Sequence, residues 1–535
     1  MSIDIDFSNI RQYDGSKEKG FEELICQIAH IQKPEGAKKF IRKEGSGGDA
    51  GVECFWILNN NDEYAWQAKY FPEALTVSQW NQINDSVITA MSKHKNLTHY
   101  YVCLPRDRTD SRQERNGKPV KSALDYWNQY VEKWTQFAIA KEMHVEFEYW
   151  GKHELTMFLQ QDSPQYTGKI LYWFDSAVIS SDSLVRLADN SRVCLGERFT
   201  PKCHVELPIS KSFSCIGCDD DWKNLTRNTL SDIYDLIREI KAVETYSLLV
   251  ERKELCSQLI DGYIKFVDDS FKFENADLIL FNNLDDYKNL VVDLINICDE
   301  LRNYLEEQYL SQKETREEFR KENSNLIGII NSLTNFEEFF TGVNIKAGKA
   351  KALLVTGAAG SGKSHLLCDI SLKRLSRNLP TVFLLGQHYT GGNPIRFIAE
   401  KIDMQNYSDT QVLGAIDSLG ETYKCRVLII IDAINEGCSR EDWKYQLGTF
   451  LQQCRTYSNL AIVISCRSTY VEYIIPEEIL KSIPRINHEG FKGFEYRATL
   501  KYLGNQGISL PGMPFLSPEF SNPLFLKIRF TVCPI

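Results

Sequence analysis

The sequence predicts a multidomain α/β protein in which a helical connector separates two regions that mix helices and strands. Residues 1–165 alternate amphipathic segments with short apolar runs that end at turn residues. From about residue 222 to 340, apolar residues recur every three or four positions with charges between them, which is typical of helices. From about residue 345, apolar strands alternate with helical segments, as in a parallel sheet. We therefore expect a domain at 1–165, a linker and helical connector at 166–340, and a second domain at 341–535.

The composition is that of a soluble globular protein. Of 535 residues, 43% are hydrophobic and 25% are charged, and the net charge of −10 argues against wholesale coating by nucleic acid. No apolar run approaches the roughly 18 residues of a membrane span, and the start, MSIDIDFSNI, lacks the layout of a secretory signal. We therefore expect a cytoplasmic protein without a membrane partner. In that reducing compartment, most of the 15 cysteines are expected to be buried thiols.

One stretch, PRDRTDSRQERNGKPVK at 105–121, is locally basic. It carries six Lys and Arg residues against three Asp and Glu residues. Such a patch can bind DNA although the whole chain is acidic. A solvated loop explains the same composition equally well.

The N-terminal region is predicted to be a mixed α/β domain. Apolar residues at helical spacing indicate helices at 21–31 and 77–94. The predicted strands are GVECFWIL, YAWQAKYF, LTHYYVCLP and HVEFEYWG, and the turn-rich NNNDE separates the first two.

Polar side chains of the first two strands are predicted to gather around one point. Asp49 follows a Gly-rich turn and shares a strand face with Glu53, while Gln67 and Lys69 share a face of the next strand. This set suits metal-assisted phosphodiester hydrolysis. Asp49 and the carbonyl of Gln67 would hold Mg²⁺, and Lys69 would orient or deprotonate the attacking water. Glu22, on the preceding helix, can face the same cleft.

An alternative is that these residues form an amphipathic hairpin with a polar face. Glu22 and Glu53 are equally well explained as solvated acids on a helix and a strand. The spacing of an acid followed by Q-x-K is by itself a weak motif.

The segment from 166 to about 220 contains many turn residues and the sequence CIGC at 215–218. With Cys203 and His204, these thiols suggest a zinc site. The adjacent Cys203 and His204 fit one tetrahedron poorly, so buried thiols are the favoured interpretation.

A phosphate-binding pattern, G-x-x-x-x-G-K-S, occurs at 357–364 as GAAGSGKS, after an apolar strand and at the start of a helix. Backbone N–H groups of such a loop and the helix N-terminus bind phosphates. Lys363 can reach the β- and γ-phosphates, and the Ser364 hydroxyl can hold Mg²⁺. For His365, the alternative to nucleotide binding is a structural role at the start of the helix. The predicted nucleotide-binding residues of this loop are Gly357, Ala358, Ala359, Gly360, Ser361, Gly362, Lys363, Ser364 and His365.

Two later strands are predicted to bring further groups to the same sheet edge. The strand VLIII ends in Asp432, which is placed to be the second Mg²⁺ ligand. Glu436 lies one helical turn further on, where it can polarise the attacking water or be a solvated acid at a helix start. The strand AIVIS leads to Arg467, which can sense the γ-phosphate or be a plain surface arginine.

The motifs TGAAGSGKSHLLCDI, LLGQ, LIIIDAINEG, ISCRSTY, HEGF and SNPLFLK follow one another in the C-terminal region. In this order, over about 320–527, they resemble the NTPase core of bacterial antiviral STAND proteins, the AVAST group, which are relatives of NACHT proteins. The resemblance implies a site for ATP and Mg²⁺ with Pro523 near the adenine. It also implies a switch that forms a homo-oligomer when ATP and a recognised ligand bind.

The N-terminal pattern of Asp49, Gln67 and Lys69 is similar to that of Mrr-type nucleases, which have a restriction-endonuclease-like fold. The similarity covers about 15–110 and implies a Mg²⁺-dependent endonuclease that degrades double-stranded DNA. The broader superfamily usually has an acid at the position of Gln67, whereas glutamine is ordinary in the Mrr type.

Together, these resemblances predict an ATP-gated antiviral nuclease. In the resembling family, a C-terminal array of helical repeats recognises a viral protein. This chain stops with IRFTVCPI just after SNPLFLK, so we expect either a truncated member or recognition by a separate subunit. Two alternatives remain: an NTP-driven restriction enzyme acting on DNA, and a non-catalytic nucleotide-binding scaffold.

Overall fold

The structure is a computed structural model of this chain. It describes residues 5–43, 51–110, 114–115, 118–119, 121–161, 163–175, 178–271, 284–311, 316–505, 507 and 518–531. Asp49, part of the basic stretch at 105–121 and the last four residues of the chain lie outside the described residues. Over this described part of the chain, no helix combines the length and the apolar character that a membrane crossing requires.

Strands occur in two groups along the chain, and a long helical region lies between them. The strands are β1 (Ala37–Arg42), β2 (Cys54–Leu58), β3 (Glu63–Ala68), β4 (Leu97–Cys103), β5 (Glu114–Arg115), β6 (Lys118–Pro119), β7 (Glu146–Trp150), β8 (Ala352–Gly357), β9 (Thr381–Leu385), β10 (Val427–Asp432), β11 (Leu460–Arg467) and β12 (Arg485–Asn487).

Helices connect the strands of each group and fill the region between the groups. They are α1 (Lys17–Ile31), α2 (Val77–Lys93), α3 (Ala123–Ala140), α4 (Lys152–Leu159), α5 (Pro164–Thr167), α6 (Lys169–Phe174), α7 (Ser181–Leu195), α8 (Ser210–Gly217), α9 (Asp220–Asp235), α10 (Ile237–Ala242), α11 (Lys253–Phe271), α12 (Leu284–Ser311), α13 (Arg316–Thr341), α14 (Val343–Ala350), α15 (Lys363–Ser376), α16 (Pro394–Lys401), α17 (Asp409–Thr422), α18 (Trp443–Arg455), α19 (Val471–Ile474), α20 (Glu477–Ser482), α21 (Glu495–Asn505) and α22 (Pro523–Thr531).

The chain divides into two compact units. Unit 1 comprises Met1–Ser183, Ile395–Tyr423 and Thr456–Asn459. Unit 2 comprises Leu184–Pro394, Lys424–Arg455 and Leu460–Ile535. Each unit is therefore assembled from separate stretches of the sequence.

Unit 1 contains a mixed sheet with the order β1-β2-β3-β4-β7. The pairs β1–β2 and β2–β3 are antiparallel, whereas β3–β4 and β4–β7 are parallel. The predicted strands and the two predicted helices of this region are confirmed as β2, β3, β4, β7, α1 and α2. Strand β1 was not predicted, because its sequence AKKFIR is lysine-rich and only partly buried at the sheet edge.

The core of unit 1 is rich in large aromatic side chains. Trp80 of α2 and Trp134 of α3 are almost completely buried and belong to the same core cluster as Tyr100 of β4. Ser122 caps α3, and Thr76 caps α2 in a reciprocal capping box. The caps fix where these helices begin, and the aromatic packing holds them on the sheet.

Helix α17 belongs to unit 1 although in sequence it lies between β9 and β10 of the second strand group. A Cβ atom placed on Gly168, between α5 and α6, would lie 1.8 Å from the carbonyl carbon of Gly414 in α17. The two backbones can therefore approach this closely only because both positions are glycine.

A buried charge network also holds α17 in unit 1. Lys169 Nζ lies 2.5 Å from Glu421 and 3.1 Å from Oε1 of Gln27. Arg42 of β1 contacts Glu421 at 3.2 Å and Glu23 of α1 at 2.6 Å. Burial raises the pKa of Glu421, but Lys169 and Arg42 outweigh burial and leave that pKa below its ordinary value. The carboxylate therefore stays charged inside the unit.

Unit 2 contains a sheet of parallel strands in the order β12-β8-β11-β10-β9. Every residue of β8, β9 and β10 is buried, as expected for strands covered on both faces. The parallel sheet and its apolar strands β8 to β11 confirm the prediction for this region. Strand β12 was not predicted, because it has only three residues and no buried one.

Helices of unit 2 form their own apolar core and also pack on the sheet. Leu259, Leu294, Leu326 and Leu333 of α11, α12 and α13 are fully buried in one cluster. The earlier helices α7 and α8, within the predicted connector, share a core with the sheet instead. In addition, the Ser191 hydroxyl of α7 donates a 3.0 Å hydrogen bond to the carbonyl of Phe383 in β9.

Candidate functional site

The loop between β8 and α15 forms the centre of a site in unit 2. Gly362 has a φ of +94°, which glycine adopts readily, and α15 begins at the next residue. Lys363 is buried, and its Nζ donates hydrogen bonds to the carbonyls of Gly357 at 2.8 Å and Ala358 at 2.9 Å. Burial lowers the pKa of Lys363. The loop thus holds a desolvated cation at the N-terminus of a helix, where a phosphate group fits.

Asp432, at the end of β10, faces this loop. Ser465 of β11 donates a 2.5 Å hydrogen bond to Oδ1 of Asp432, and the Ser364 hydroxyl bonds to the same carboxylate. Burial raises the pKa of Asp432, and these two hydroxyl groups oppose the rise.

The oxygen atoms of Ser364 and Asp432 fit a magnesium ion. Mg²⁺ prefers oxygen ligands and is commonly held by one or two protein groups together with substrate phosphates. A buried carboxylate with a raised pKa is stabilised by such a cation. Ser364 and Asp432 are also the two residues of unit 2 that the sequence predicts as metal ligands.

Glu436 and Arg467 are brought together as an ion pair. Nη2 of Arg467 lies 2.7 Å from Oε1 of Glu436, and the backbone N–H of Arg467 donates to the Asn435 side chain. The second oxygen of Glu436 accepts a 3.0 Å hydrogen bond from Arg198. Glu436 is therefore held by two arginines.

A cavity of about 470 Å³ opens beside the loop. Lys363, Ser364, Asp432, Glu436 and Arg467 line it together with Pro523 and His365. Its apolar wall comes from Val205, Leu207, Phe491 and Tyr502. Most of the predicted nucleotide-binding residues thus line one cavity with a polar end and an apolar end, as a nucleotide requires, whereas Gly357, Ala358 and Ser361 are not among its lining residues.

His365 is bonded within the protein. The Thr200 N–H donates to Nδ1 of His365, and Nε2 of His365 lies 3.2 Å from Nδ1 of His204. Burial lowers the pKa of His365 to about 4, and the nearby His204 contributes. The ring is therefore neutral at pH 7, and its contacts join α15 to residues 200–204.

The predicted N-terminal residues lie in unit 1. Gln67 of β3 and Glu53, which lies just before β2, are both buried, and Nε2 of Gln67 donates a 2.6 Å hydrogen bond to Glu53. Lys69 is half-buried just after β3, and its N–H donates to the carbonyl of Cys103. Glu22 is half-buried on α1. Asp49 lies outside the described residues, so its predicted place beside Gln67 stays a prediction.

Several residues of the cavity were not predicted. Arg198 belongs to a short 3-10 helix, Gly196–Arg198, within the region predicted as linker. Asn435 and His488 are buried beside the loop. The NEG sequence around Asn435 adjoins the predicted Asp432 and could have indicated it, whereas no local pattern indicates Arg198.

The four thiol and imidazole groups considered for zinc do not assemble into a metal site. Cys215 and Cys218 are buried near Asn344 and Arg426, and Cys203 lies beside Asn505. In the described part of the chain, no group of three or more His, Cys, Asp and Glu side chains is placed to hold a metal ion.

Comparison with known proteins gives little similarity. No protein-family profile and no curated protein matches this sequence. Among solved structures, C. elegans PCH-2 shows 15% identity and a TM-score of 0.20. The match covers 36% of this chain and 50% of PCH-2, so the chain spans half the length of that protein. A TM-score this low supports no inference about fold or function.

Proposed function

We propose that this chain is an ATP- and magnesium-binding switch of the STAND type, whose N-terminal unit cleaves double-stranded DNA when it is activated. The observation that carries the proposal is the cavity of unit 2. There a phosphate-binding loop, a buried lysine, a buried aspartate and the Glu436–Arg467 pair surround one space. These are the groups that phosphoryl transfer uses for positioning and for charge stabilisation.

In this proposal, the loop N–H groups and the start of α15 bind the phosphates of ATP. Lys363 exchanges the carbonyls of Gly357 and Ala358 for phosphate oxygens. Ser364 and Asp432 would hold Mg²⁺, which neutralises phosphate charge when bound. Glu436 accepts a proton from the attacking water, and Arg467 stabilises charge on the γ-phosphate.

The DNA-cleaving role rests on the strand pair of unit 1. The buried hydrogen bond from Gln67 to Glu53 brings together two oxygen-bearing side chains, one on β3, which leads to Lys69, and one just before β2. In the proposal, Asp49 and Gln67 would hold Mg²⁺, and Lys69 would activate water. A viral protein ligand triggers the switch, and a homo-oligomer pairs two such centres so that both DNA strands are cut. The protein acts in the cytoplasm.

The nucleotide half is tested by titrating the purified full chain with ATP and Mg²⁺. We expect Lys363→Ala to abolish binding, because the loop loses its only side-chain cation among the described residues 357–364. Lys481→Ala is the matched control, since Lys481 is exposed and forms an ion pair with a neighbour on its own helix, Glu477. Equal affinity of the native chain and Lys363→Ala would contradict the proposal.

The nuclease half is tested by the integrity of plasmid DNA with protein, ATP and Mg²⁺. We expect Lys69→Ala to lower cleavage by at least about 100-fold, with the exposed Lys95→Ala as control. Unchanged cleavage in Lys69→Ala would reject the assignment. ATP binding without cleavage at any Mg²⁺ concentration would favour the scaffold alternative, and ATP turnover stimulated by DNA would favour the NTP-driven restriction enzyme.

A further inference from the structure

Arg198 lines the cavity but has no role in the reaction proposed above. Its guanidinium lines the same cavity as Lys363 and Ser364, and its Nη1 lies 3.0 Å from Oε2 of Glu436. Arg467 approaches the other oxygen, Oε1, at 2.7 Å. One carboxylate thus bridges two guanidinium groups that come from different segments of unit 2.

This bridge occupies both oxygens of the group that the proposed reaction requires as a proton acceptor. Charge-assisted hydrogen bonds to both oxygens orient the carboxylate of Glu436 towards the two guanidinium groups. In the resting site, Glu436 therefore serves as the partner of Arg198 and Arg467. It is poorly placed to polarise a water molecule.

A γ-phosphate is a stronger partner for the two arginines than Glu436. It carries more negative charge and three oxygens, and the planar guanidinium fork matches such oxygens in pairs. Both arginine side chains are about half exposed, at 54% and 42%, so they can turn towards a ligand in the cavity. ADP lacks the γ-phosphate and offers no such replacement.

We propose that Arg198 is a second γ-phosphate ligand, working with Arg467, and that Glu436 holds both arginines until ATP replaces it. This inference rests on the proposed ATP site and names how that site distinguishes ATP from ADP. Binding of ATP frees Glu436, which then takes a proton from water. The water oxygen bonds to the γ-phosphorus, the bond from that phosphorus to the bridging oxygen breaks, and ADP leaves with the electron pair.

The test measures the affinity of the full chain for ADP and for AMP-PNP, a non-hydrolysable ATP analogue, each with Mg²⁺. We expect Arg198→Ala to weaken AMP-PNP binding by about ten-fold or more, since a charge-assisted bond is lost. ADP affinity should change less than about two-fold. Arg198→Lys keeps the charge without the fork and should fall between the native chain and Arg198→Ala.

The matched control is Arg192→Ala. Arg192 is a similarly exposed arginine of α7 that also pairs with a carboxylate, Asp189, but it does not line the cavity. We expect native affinities for both nucleotides. Glu436→Gln should bind AMP-PNP more tightly than the native chain, because the resting ion pairs are weakened, and should turn over ATP more slowly.

Three results would overturn the inference. Arg198→Ala and Arg198→Lys could weaken ADP and AMP-PNP equally, which would indicate a structural role for Arg198. Both variants could leave the two affinities unchanged, which would remove Arg198 from the site. If the native chain binds neither nucleotide, the proposed function itself fails and this inference fails with it. Binding by the native chain that Lys363→Ala abolishes separates the first two results from the third.

Discussion

The side chain of Gln67 donates a hydrogen bond of 2.6 Å to Glu53, which lies just before the neighbouring antiparallel strand β2 in unit 1. Both side chains are buried, and the Tyr100 hydroxyl lies 3.5 Å from the carbonyl oxygen of Gln67. A buried carboxylate is stable only with hydrogen-bond donors. The pair therefore contributes to the stability of the sheet whether or not the unit cleaves DNA.

We expect Gln67→Ala to lower the free energy of unfolding of unit 1 by about 1–3 kcal/mol, because Glu53 loses a donor in a buried position. Urea unfolding followed by tryptophan fluorescence measures the change. Gln136→Ala, at an exposed position of α3, is the control and should change the stability by less than about 0.5 kcal/mol. Equal effects of the two substitutions would mean that the hydrogen bond contributes nothing.

Glu421 makes the stability of unit 1 depend on pH. Its pKa in the folded protein is lower than the ordinary value of 4.5, despite burial, because of Lys169 and Arg42. The unfolded state therefore takes up the proton first as the pH falls. The stabilisation is complete above about pH 5 and is lost as the pH falls through the folded-state pKa.

We expect Glu421→Gln to destabilise unit 1 by about 3–5 kcal/mol at pH 7, since it leaves Lys169 buried without its anion. The difference from the native chain should shrink below about pH 5. Urea titrations at several pH values test this, with the exposed Glu400→Gln as control. A difference that stays constant from pH 7 to pH 4 would contradict the role of the Glu421 charge.

Gly168 should tolerate no larger residue. A Cβ there would lie 1.8 Å from the backbone of Gly414, so Gly168→Ala must displace α17. We expect a loss of at least about 3 kcal/mol, comparable with severe overpacking. Gly328 of α13 has nothing within 4 Å of an added Cβ, and Gly328→Ala should instead add up to about 1 kcal/mol of stability. The midpoint temperatures of thermal unfolding of both variants test this. A Gly168→Ala protein as stable as the native chain would contradict the close approach of the Gly168 and Gly414 backbones.

In the proposed nucleotide site, Ser465 should control the affinity for Mg²⁺. Its hydroxyl donates to Asp432 and accepts from the N–H of Ala433, so it fixes the carboxylate. We expect Ser465→Ala to raise the Mg²⁺ concentration needed for ATP binding by about ten-fold or more. Ser376→Ala, at an exposed position of α15, is the control. An unchanged Mg²⁺ requirement would remove Ser465 from this role.

The fold is predictable from sequence where local pattern decides it. β10 reads as VLIIID because both faces of the strand are covered, and an unbroken apolar run is what that position selects. β1 escapes prediction, since an edge strand with lysines resembles a loop in sequence.

In the candidate site too, residues within a contiguous motif are predictable from sequence, whereas residues brought in from distant segments are not. The loop at 357–364 is contiguous, so its groups are visible in the sequence, whereas Arg198 reaches Glu436 only through the folding of a distant segment. Strand alternation indicates which face carries Gln67, but the hydrogen bond from Gln67 to Glu53 depends on the register of β2 and β3, which the turn sets.

The position of α17 has a consequence for inheritance. Genetic exchange moves contiguous stretches of a chain, but unit 1 consists of three separate segments of the sequence. Lys169 belongs to the first segment, and its partner Glu421 belongs to the second. A recombination event that transferred only residues 1–183 would deliver a buried lysine without its carboxylate. The first segment of unit 1 and the segment 395–423 are therefore expected to change together over evolution, with compensating substitutions at positions 169 and 421.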